Sequence, residues 1–418
     1  MDICVVGAGV IGLTTAHALS RRGHRVTVVD AHGEAGRGSS LANGAQLSYS
    51  YVAPLADASV WAHLPAYLLD PASPLSFRPL WQADQWRWIA RFLLACNSRA
   101  AARVTAELLR LAFFSRDCLA ALQQSLALDF DLRTAGKLVM LSSPAALAAA
   151  RRQVALQQDL GCEQQVLSTA ACIEIEPALA ASQARWHGGV YTASEQVGDC
   201  ARFCRQLGAY LAARRAVTFA YHTTITGGVR EGGRVMALRS SRGDLTADAF
   251  VLASGAGSAQ LAGWLGFKLP IYPLKGYSVT LDTQGAQAPS VSITDLARKI
   301  VYARLGTRLR VAGRVDIGHD LALDERRWRA LAHQARQLFP TLADRQDQVS
   351  PWAGLRPATP SGKPIIGRGP LANVYLNAGH GALGWTLACG SAELMACALE
   401  AQPCSIDGQA LAYAASRW

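Results

Sequence analysis

Residues 3–30 read ICVVGAGVIGLTTAHALSRRGHRVTVVD, and the fold is decided there. Ile3-Cys4-Val5-Val6 is a short apolar run of the kind that makes a strand buried on both faces. Gly7, Gly9 and Gly12 follow at G-x-G-x-x-G spacing, and an amphipathic stretch runs to Arg21-Arg22-Gly23. A second apolar run, Val26-Thr27-Val28-Val29, ends in Asp30. Strand, glycine turn, helix, strand and acid make a βαβ unit. The first glycine permits a tight turn, the second lets a pyrophosphate approach the backbone, and the third lets helix and strand pack closely. The backbone of Gly7, Ala8, Gly9, Val10, Ile11 and Gly12, with the helix dipole behind it, suits a phosphate anion. Asp30, 18 residues past Gly12, is placed to bind a ribose hydroxyl, with Ala31 beside it. An acid there repels a 2′-phosphate. The stretch implies a dinucleotide-binding domain.

Two further segments bear on which dinucleotide it is. A nicotinamide enzyme usually continues with more βα repeats. This chain breaks instead into SSLANGAQLS at 39–48, small and polar, as a loop wrapping a pyrophosphate and a flavin would be. Ser39, Ser40, Ala42, Asn43, Gly44, Ala45 and Gln46 are its expected contacts. GHGALGWTLACG at 379–390 is another glycine turn entering a helix. A helix N-terminus near Gly381-Ala382 would stabilise the negative charge that a reduced flavin develops at its N1–C2=O edge. Gly379, Leu383, Gly384, Trp385 and Thr386 belong to the same expected contact, and Ile225 and Ala253-Ser254-Gly255 join it from mid-chain. Two separated glycine turns favour FAD, held by both ends of the chain.

Composition narrows the class. Of 418 residues half are apolar and 17% charged, which supplies two cores and excludes disorder. No run approaches 18 consecutive apolar residues, so no transmembrane helix is expected. Ten cysteines are scattered without zinc spacing, so no metal site is expected; free thiols in this number fit a reducing cytoplasm. Asp2 stands where a signal peptide would carry basic charge. The net charge of +11 attracts anionic partners, yet no basic run interleaved with aromatics occurs, which argues against nucleic acid.

Along the chain, residues 49–100 hold Trp61, Trp81, Trp86 and Trp88 and an apolar patch at Tyr67-Leu68-Leu69. This reads as a packed helical cap or as an interface segment. Strands are expected at GKLVMLSS (136–143), GGVYTASE (188–195) and 249–253. Helices are expected at 144–159, from a cap at Asp199 to Arg215, at 324–338 and at 383–400. Residues 218–242 read as a meander and 268–316 as an antiparallel sheet with a hairpin at Leu305-Gly306-Thr307. The fold class is α/β, a Rossmann-like FAD-binding domain interleaved with an antiparallel-sheet substrate domain. The expected boundaries give 1–48, 144–265 and 350–418 to FAD and 49–143 and 266–349 to substrate.

GAGVIG with Asp30, SSLANGAQ (39–46), PLKGYS (273–278), WAGLRPATPSGKPIIG (352–367) and GHGALGWTLACGS (379–391) come in one order across essentially the whole chain. Together they resemble the FAD-dependent D-amino-acid dehydrogenases of the D-amino-acid oxidase superfamily. The resemblance implies oxidative deamination of a D-amino acid to a 2-oxo acid and ammonia. Electrons would pass to a quinone or another non-oxygen acceptor, with peripheral association on the cytoplasmic face of the inner membrane. Where relatives often carry Asp, this chain has Ser361 in its Thr359-Pro360-Ser361-Gly362 turn. Sarcosine oxidases attach flavin through a cysteine, but Cys389 falls in a helix, so non-covalent FAD is expected.

Arg is suited to a carboxylate because its fork matches both oxygens. Arg356 occupies the GLRP turn where the superfamily carries its carboxylate-binding arginine, and it is also expected to touch FAD; Arg304 and Arg310 are the next candidates for the carboxylate. Tyr277 is a candidate to hydrogen-bond that carboxylate, or else a packed strand aromatic. Lys275 is expected on the same face, as a site residue or a salt-bridge partner. Tyr302 is a further candidate of this type. His380, beside the expected flavin, is a candidate base or a residue that orients its turn. No base is strictly required, since the Cα hydride can pass directly to flavin N5. The alternatives are a glycine- or sarcosine-type oxidase and a dehydrogenase of D-proline or D-hydroxyproline. The preferred side chain and the oligomeric state stay open.

Overall fold

The computed structural model describes residues 1–62, 64, 73–214, 216–283, 288–317, 320–342 and 349–414. Tyr67-Leu68-Leu69 and the expected helix end at Arg215 lie outside them.

Six strands form one sheet in the order Ile365–Arg368, Val374–Ala378, Ala249–Leu252, Asp2–Val6, Arg25–Val29, Val217–Ala220. Neighbours run parallel except at the edge strand Ile365–Arg368. Their near-continuous apolar runs follow from burial on both faces. Ile3, Val5, Val26, Val28 and Val251 pack under helices Val10–Arg21, Ser98–Leu126 and Gly384–Glu400, while Cys4, Val6, Phe250 and Leu252 face a second cluster.

The second sheet has nine strands. Its main path runs Val349–Ala358, Tyr272–Asp282, Arg308–Ile317, Ile300–Leu305, Ser292–Asp295, Lys137–Leu141, Gly188–Thr192, Gln165–Leu167, and Leu75–Phe77 adds to Arg308–Ile317. Pairing is antiparallel except where Ser292–Asp295 meets Lys137–Leu141 and where Leu75–Phe77 joins. Helix Glu325–Leu338 covers one face; Asp324 caps it by accepting from the Arg326 and Arg327 amides, and Leu331, Ala332, Ala335 and Leu338 turn inward. The α/β class and the expected helices stand.

Three expectations need correction. The boundaries at 144 and 350 cut through the second sheet, because Gly188–Thr192, Gln165–Leu167 and Val349–Ala358 all pair within it. Strand pairing is non-local, so an apolar run does not disclose its partner. Val217–Ala220 leaves the expected meander and pairs parallel with Arg25–Val29. The 29-residue helix Ser98–Leu126, assigned to the substrate side, packs on Gly384–Glu400 in the core of the first sheet. Its signals were local: an Asn97 cap and inward Val104, Leu108, Leu111, Ser115, Leu119 and Leu122 at helical spacing.

Candidate active site

The glycine turn has two glycines that the protein itself demands and one that it does not. Gly7 has φ +115°, and a Cβ there would lie 2.6 Å from the Ala253 carbonyl oxygen. A Cβ at Gly12 would lie 1.7 Å from the Gly7 oxygen. At Gly9 it would meet only the Ser40 hydroxyl, at 3.4 Å. The open side of Gly9 is where a pyrophosphate would approach, at the start of Val10–Arg21, and this cradle fits FAD. The Val10 amide donates to Ser40 Oγ at 3.0 Å, bringing the 39–46 loop to that helix end. Asp30 accepts from the Ala8 amide at 2.7 Å and from the His32 amide at 2.8 Å, so the acid also braces the turn. Ala31 is exposed beside it. The Ile225 side chain is spent on the core with Val6 and Val29, and the residue pairs with Ser240 across its ladder.

The C-terminal turn is fastened to the same place. The Gly381 amide donates to the Pro357 oxygen at 2.8 Å, and His380 bridges to Ala358. The Ser39 hydroxyl donates to the Leu355 oxygen, and Thr386 Oγ1 accepts from the Ser48 amide. Both segments expected to hold the flavin therefore converge on the end of strand Val349–Ala358. A Cβ at Gly255 or Gly381 would meet no described atom within 4 Å. Trp385, by contrast, turns into the core: its Nε1–H donates to the Gly198 oxygen and its ring packs on Phe130 and Phe203.

Arg356 stands on that strand. It is paired with Leu274 across the ladder, and its guanidinium lies over Gly276, whose absent Cβ would be 2.8 Å from Nε and NH2. The side chain keeps partial exposure although protein crowds it. Burial lowers its pKa, and no acid among the described residues is paired with it. Ser278, two residues on from Gly276, donates to the Ala42 oxygen at 2.7 Å. This face of the sheet therefore looks at the 39–46 loop. Arg310, on the same face, donates to the Asn43 oxygen and to Thr280 Oγ1, and burial pushes its pKa down to about 10. Arg304 binds its own hairpin, at the Gly306 oxygen, and lines a 620 Å3 cleft with Leu128, Asp131 and Arg133. Neither competes for the place of Arg356.

Three candidates face the other way. Tyr277 packs with Leu331 and Ala335 under helix Glu325–Leu338, and its hydroxyl donates to Asp316 Oδ2 at 2.8 Å. Asp316 in turn accepts from Arg327 at 2.6 Å. Burial, then the Asp316 carboxylate, push the Tyr277 pKa far up. Lys275 donates to Asp320 and to the Ala322 oxygen. Tyr302 packs edge-on against Phe339. Residues 275 and 277 share a face as expected, but it is the face opposite Arg356. His380 is buried with its Nε2 3.0 Å from Ser391 Oγ, and burial drives its pKa down to about 3. It is a neutral ring committed to helix Gly384–Glu400, which supports the orienting role over the base.

A cluster missed in the sequence surrounds Lys137. Its buried ammonium donates to Gln46 Oε1 at 3.2 Å and Ser48 Oγ at 2.9 Å and lies 4.3 Å from the Tyr51 ring centre. Burial lowers its pKa to about 8, against the pull of Glu195. Burial raises the Glu195 pKa. Glu195 accepts from the Ser50 amide with one oxygen, and among the described residues the other oxygen has no hydrogen-bond partner. No local pattern marked Lys137, since a lone lysine in a strand reads as an edge or exposed residue. The tryptophans divide as well. Trp88 is core, donating to the Ala358 oxygen and stacking on Phe92. Trp61, Trp81 and Trp86 are exposed.

Comparison with known proteins identifies the family. The family described as FAD dependent oxidoreductase (DAO) matches residues 2–398. D-amino acid dehydrogenase 2 of Ralstonia nicotianae is 47% identical over 406 residues, covering 95% of this chain and 96% of that protein. D-amino acid dehydrogenase 2 of Pseudomonas aeruginosa is 47% identical over 409 residues, covering 97% and 96%. Among solved structures, glycine oxidase from Geobacillus kaustophilus superposes with a TM-score of 0.78 at 22% identity, covering 98% of this chain and 97% of its own. L-proline dehydrogenase from P. horikoshii gives 0.73 at 18%, covering 96% and 94%. At such identities these two speak for the fold alone. With a family match across almost the whole length, the chain belongs to the FAD dependent oxidoreductase family.

Proposed function

We propose that the protein is a D-amino-acid dehydrogenase that binds FAD non-covalently. The observation that carries the reading is Arg356, a guanidinium without an acid partner among the described residues, lying on a glycine floor where both flavin-holding segments meet. The relatives named above supply the substrate class. The 7–12 turn, Asp30, the 39–46 loop and the 379–386 turn would hold the cofactor. Bound there, FAD supplies a two-electron acceptor for the Cα hydride of the substrate. Arg356 takes the substrate carboxylate with two parallel N–H···O bonds, which fixes where Cα lies. The start of helix Gly384–Glu400 has no side-chain cap and offers its free amides to negative charge. With His380 neutral and Tyr277 and Tyr302 on the far face, no side-chain base is assigned. The substrate reacts as the free amine, and the imine that results is hydrolysed to the 2-oxo acid and ammonia. Cys389 is buried and burial pushes its thiol pKa far up, which supports non-covalent attachment.

Electrons then pass to a quinone, with the protein resting on the cytoplasmic face of a membrane. Trp61, Trp81, Trp86 and Leu94, all exposed, and the net positive charge support such contact. Among the described residues no helix is long and apolar enough to cross one. The test is anaerobic flavin bleaching with paired D- and L-amino acids, glycine, sarcosine and proline. D-enantiomers should bleach the flavin, and reoxidation should be fast with a soluble quinone and slow with oxygen. Bleaching by L-amino acids or glycine alone would reject the proposal.

A further inference from the structure

Residues paired across strands Tyr272–Asp282 and Val349–Ala358 project to one face in successive rows: Leu274 with Arg356, Gly276 with Gly354, Ser278 with Trp352. The Ser278 bond to the Ala42 oxygen shows that this face meets the 39–46 loop. The middle row carries no side chain. Into the space above it the two flanking rows lean from opposite sides. The Arg356 guanidinium covers Gly276, and the Trp352 indole covers Gly354, with three ring carbons 2.0–2.8 Å from where a Cβ would stand. Both glycines are buried, while Trp352 and Arg356 each keep an accessible edge. A pair of glycines with a cation over one and a broad ring over the other is an expensive arrangement in a strand, where glycine packs nothing and costs chain entropy.

We propose that Trp352 is the specificity-determining residue of this enzyme: its indole forms the wall, next to Arg356, against which the side chain of the amino acid must fit. The inference rests on Arg356 holding the substrate carboxylate. A carboxylate seated on that guanidinium leaves the rest of the molecule above the glycine row, where the indole is the adjacent bulky group. Trp352 has no assigned part in binding FAD or in the reaction, so its effect is on which side chain is accepted. A rigid apolar wall separates substrates by size, and one methylene more or less in such a pocket changes selectivity by about 10- to 200-fold.

The experiment compares wild-type holoenzyme with Trp352→Ala and Trp352→Phe, measuring anaerobic flavin reduction by D-alanine, D-leucine and D-phenylalanine. FAD content by absorbance and melting temperature are recorded for each variant. Trp352→Ala should raise the D-phenylalanine to D-alanine ratio of reduction rate over Kd by about tenfold or more. Trp352→Phe should move it part of the way. An equal fall for all three substrates, or an unchanged ratio, in FAD-loaded Trp352→Phe or Trp352→Ala would overturn the assignment. If no D-amino acid reduces the wild-type flavin, the dehydrogenase reading fails by itself. The same ratio test, run with whichever carboxylate amines do reduce it, then decides the role of Trp352 separately.

Discussion

Gly276→Ala puts one methyl group where the Arg356 guanidinium now lies. The added Cβ would stand 2.8 Å from Nε and NH2 and 3.0 Å from Cζ, and ordinary contact begins near 3.4 Å. The fork must therefore retreat by about 0.6 Å, and as the end of a flexible side chain it can do so without moving either strand. The fold should survive with FAD bound, while the carboxylate and the Cα attached to it shift with the fork. Since about 1 Å of misplacement can cost on the order of a hundredfold in rate, this shift should cost about tenfold or somewhat more, near 1.4 kcal/mol. The assay is anaerobic stopped-flow reduction by D-alanine, with FAD occupancy and melting temperature as controls. Reduction at the wild-type rate and affinity in a fully loaded Gly276→Ala protein would refute the placement of substrate over this row. Loss of FAD would refute it too, because Gly276 is not among the residues assigned to the cofactor.

Tyr277→Phe should leave flavin reduction within about twofold and cost about 1–3 kcal/mol of stability, because it strips a buried bond from Asp316 on the face away from the site; denaturant unfolding and stopped-flow reduction check the two halves. His380, with its pKa near 3 when folded against 6.5 for the free ring, binds a proton only when the chain unfolds in that window. Stability should therefore fall as pH drops from 6.5 towards 3, less so in His380→Gln, and flavin reduction should show no inflection near 6.5 from this residue. Lys137 behaves alike on the alkaline side: between about 8 and 10.5 the unfolded chain holds a proton that the folded one has released. Wild type should gain stability relative to Lys137→Met as pH rises through that window, by on the order of 3 kcal/mol at most; melting series from pH 7 to 10.5 read the slope.

What could be read from the chain follows the range of the interactions. The βαβ unit was legible because its strand, glycines and acid lie within thirty residues, and the helix caps Asp199 and Asp324 because a cap acts over three. Arg356 was singled out by its motif. The sense of strand Tyr272–Asp282 was not. Alternation puts 275 and 277 on one face, but both faces of this strand are buried, one by helix Glu325–Leu338 and one by the 39–46 loop, so composition could not say which was which. Tyr277 and Lys275 looked chemical because they are polar; they are polar because Asp316 and Asp320 need partners. The paired glycines 276 and 354 are 78 residues apart and meet only through the ladder. Lys137 reaches Gln46 and Ser48 across a comparable gap.

The central claim is that Arg356 anchors the substrate carboxylate, and it is tested most directly by reducing the flavin of wild type, Arg356→Lys and Arg356→Ala with D-alanine and with D-alaninamide. Removing the guanidinium leaves a desolvated carboxylate without a partner, so Arg356→Ala should lose about 3 kcal/mol or more with the acid, on the order of a hundredfold in rate over Kd. Arg356→Lys keeps the charge without the fork and should fall between. All three should carry FAD, and the amide should distinguish them little. If Arg356→Ala is reduced by the acid as fast as wild type, or if wild type treats acid and amide alike, the anchor lies elsewhere.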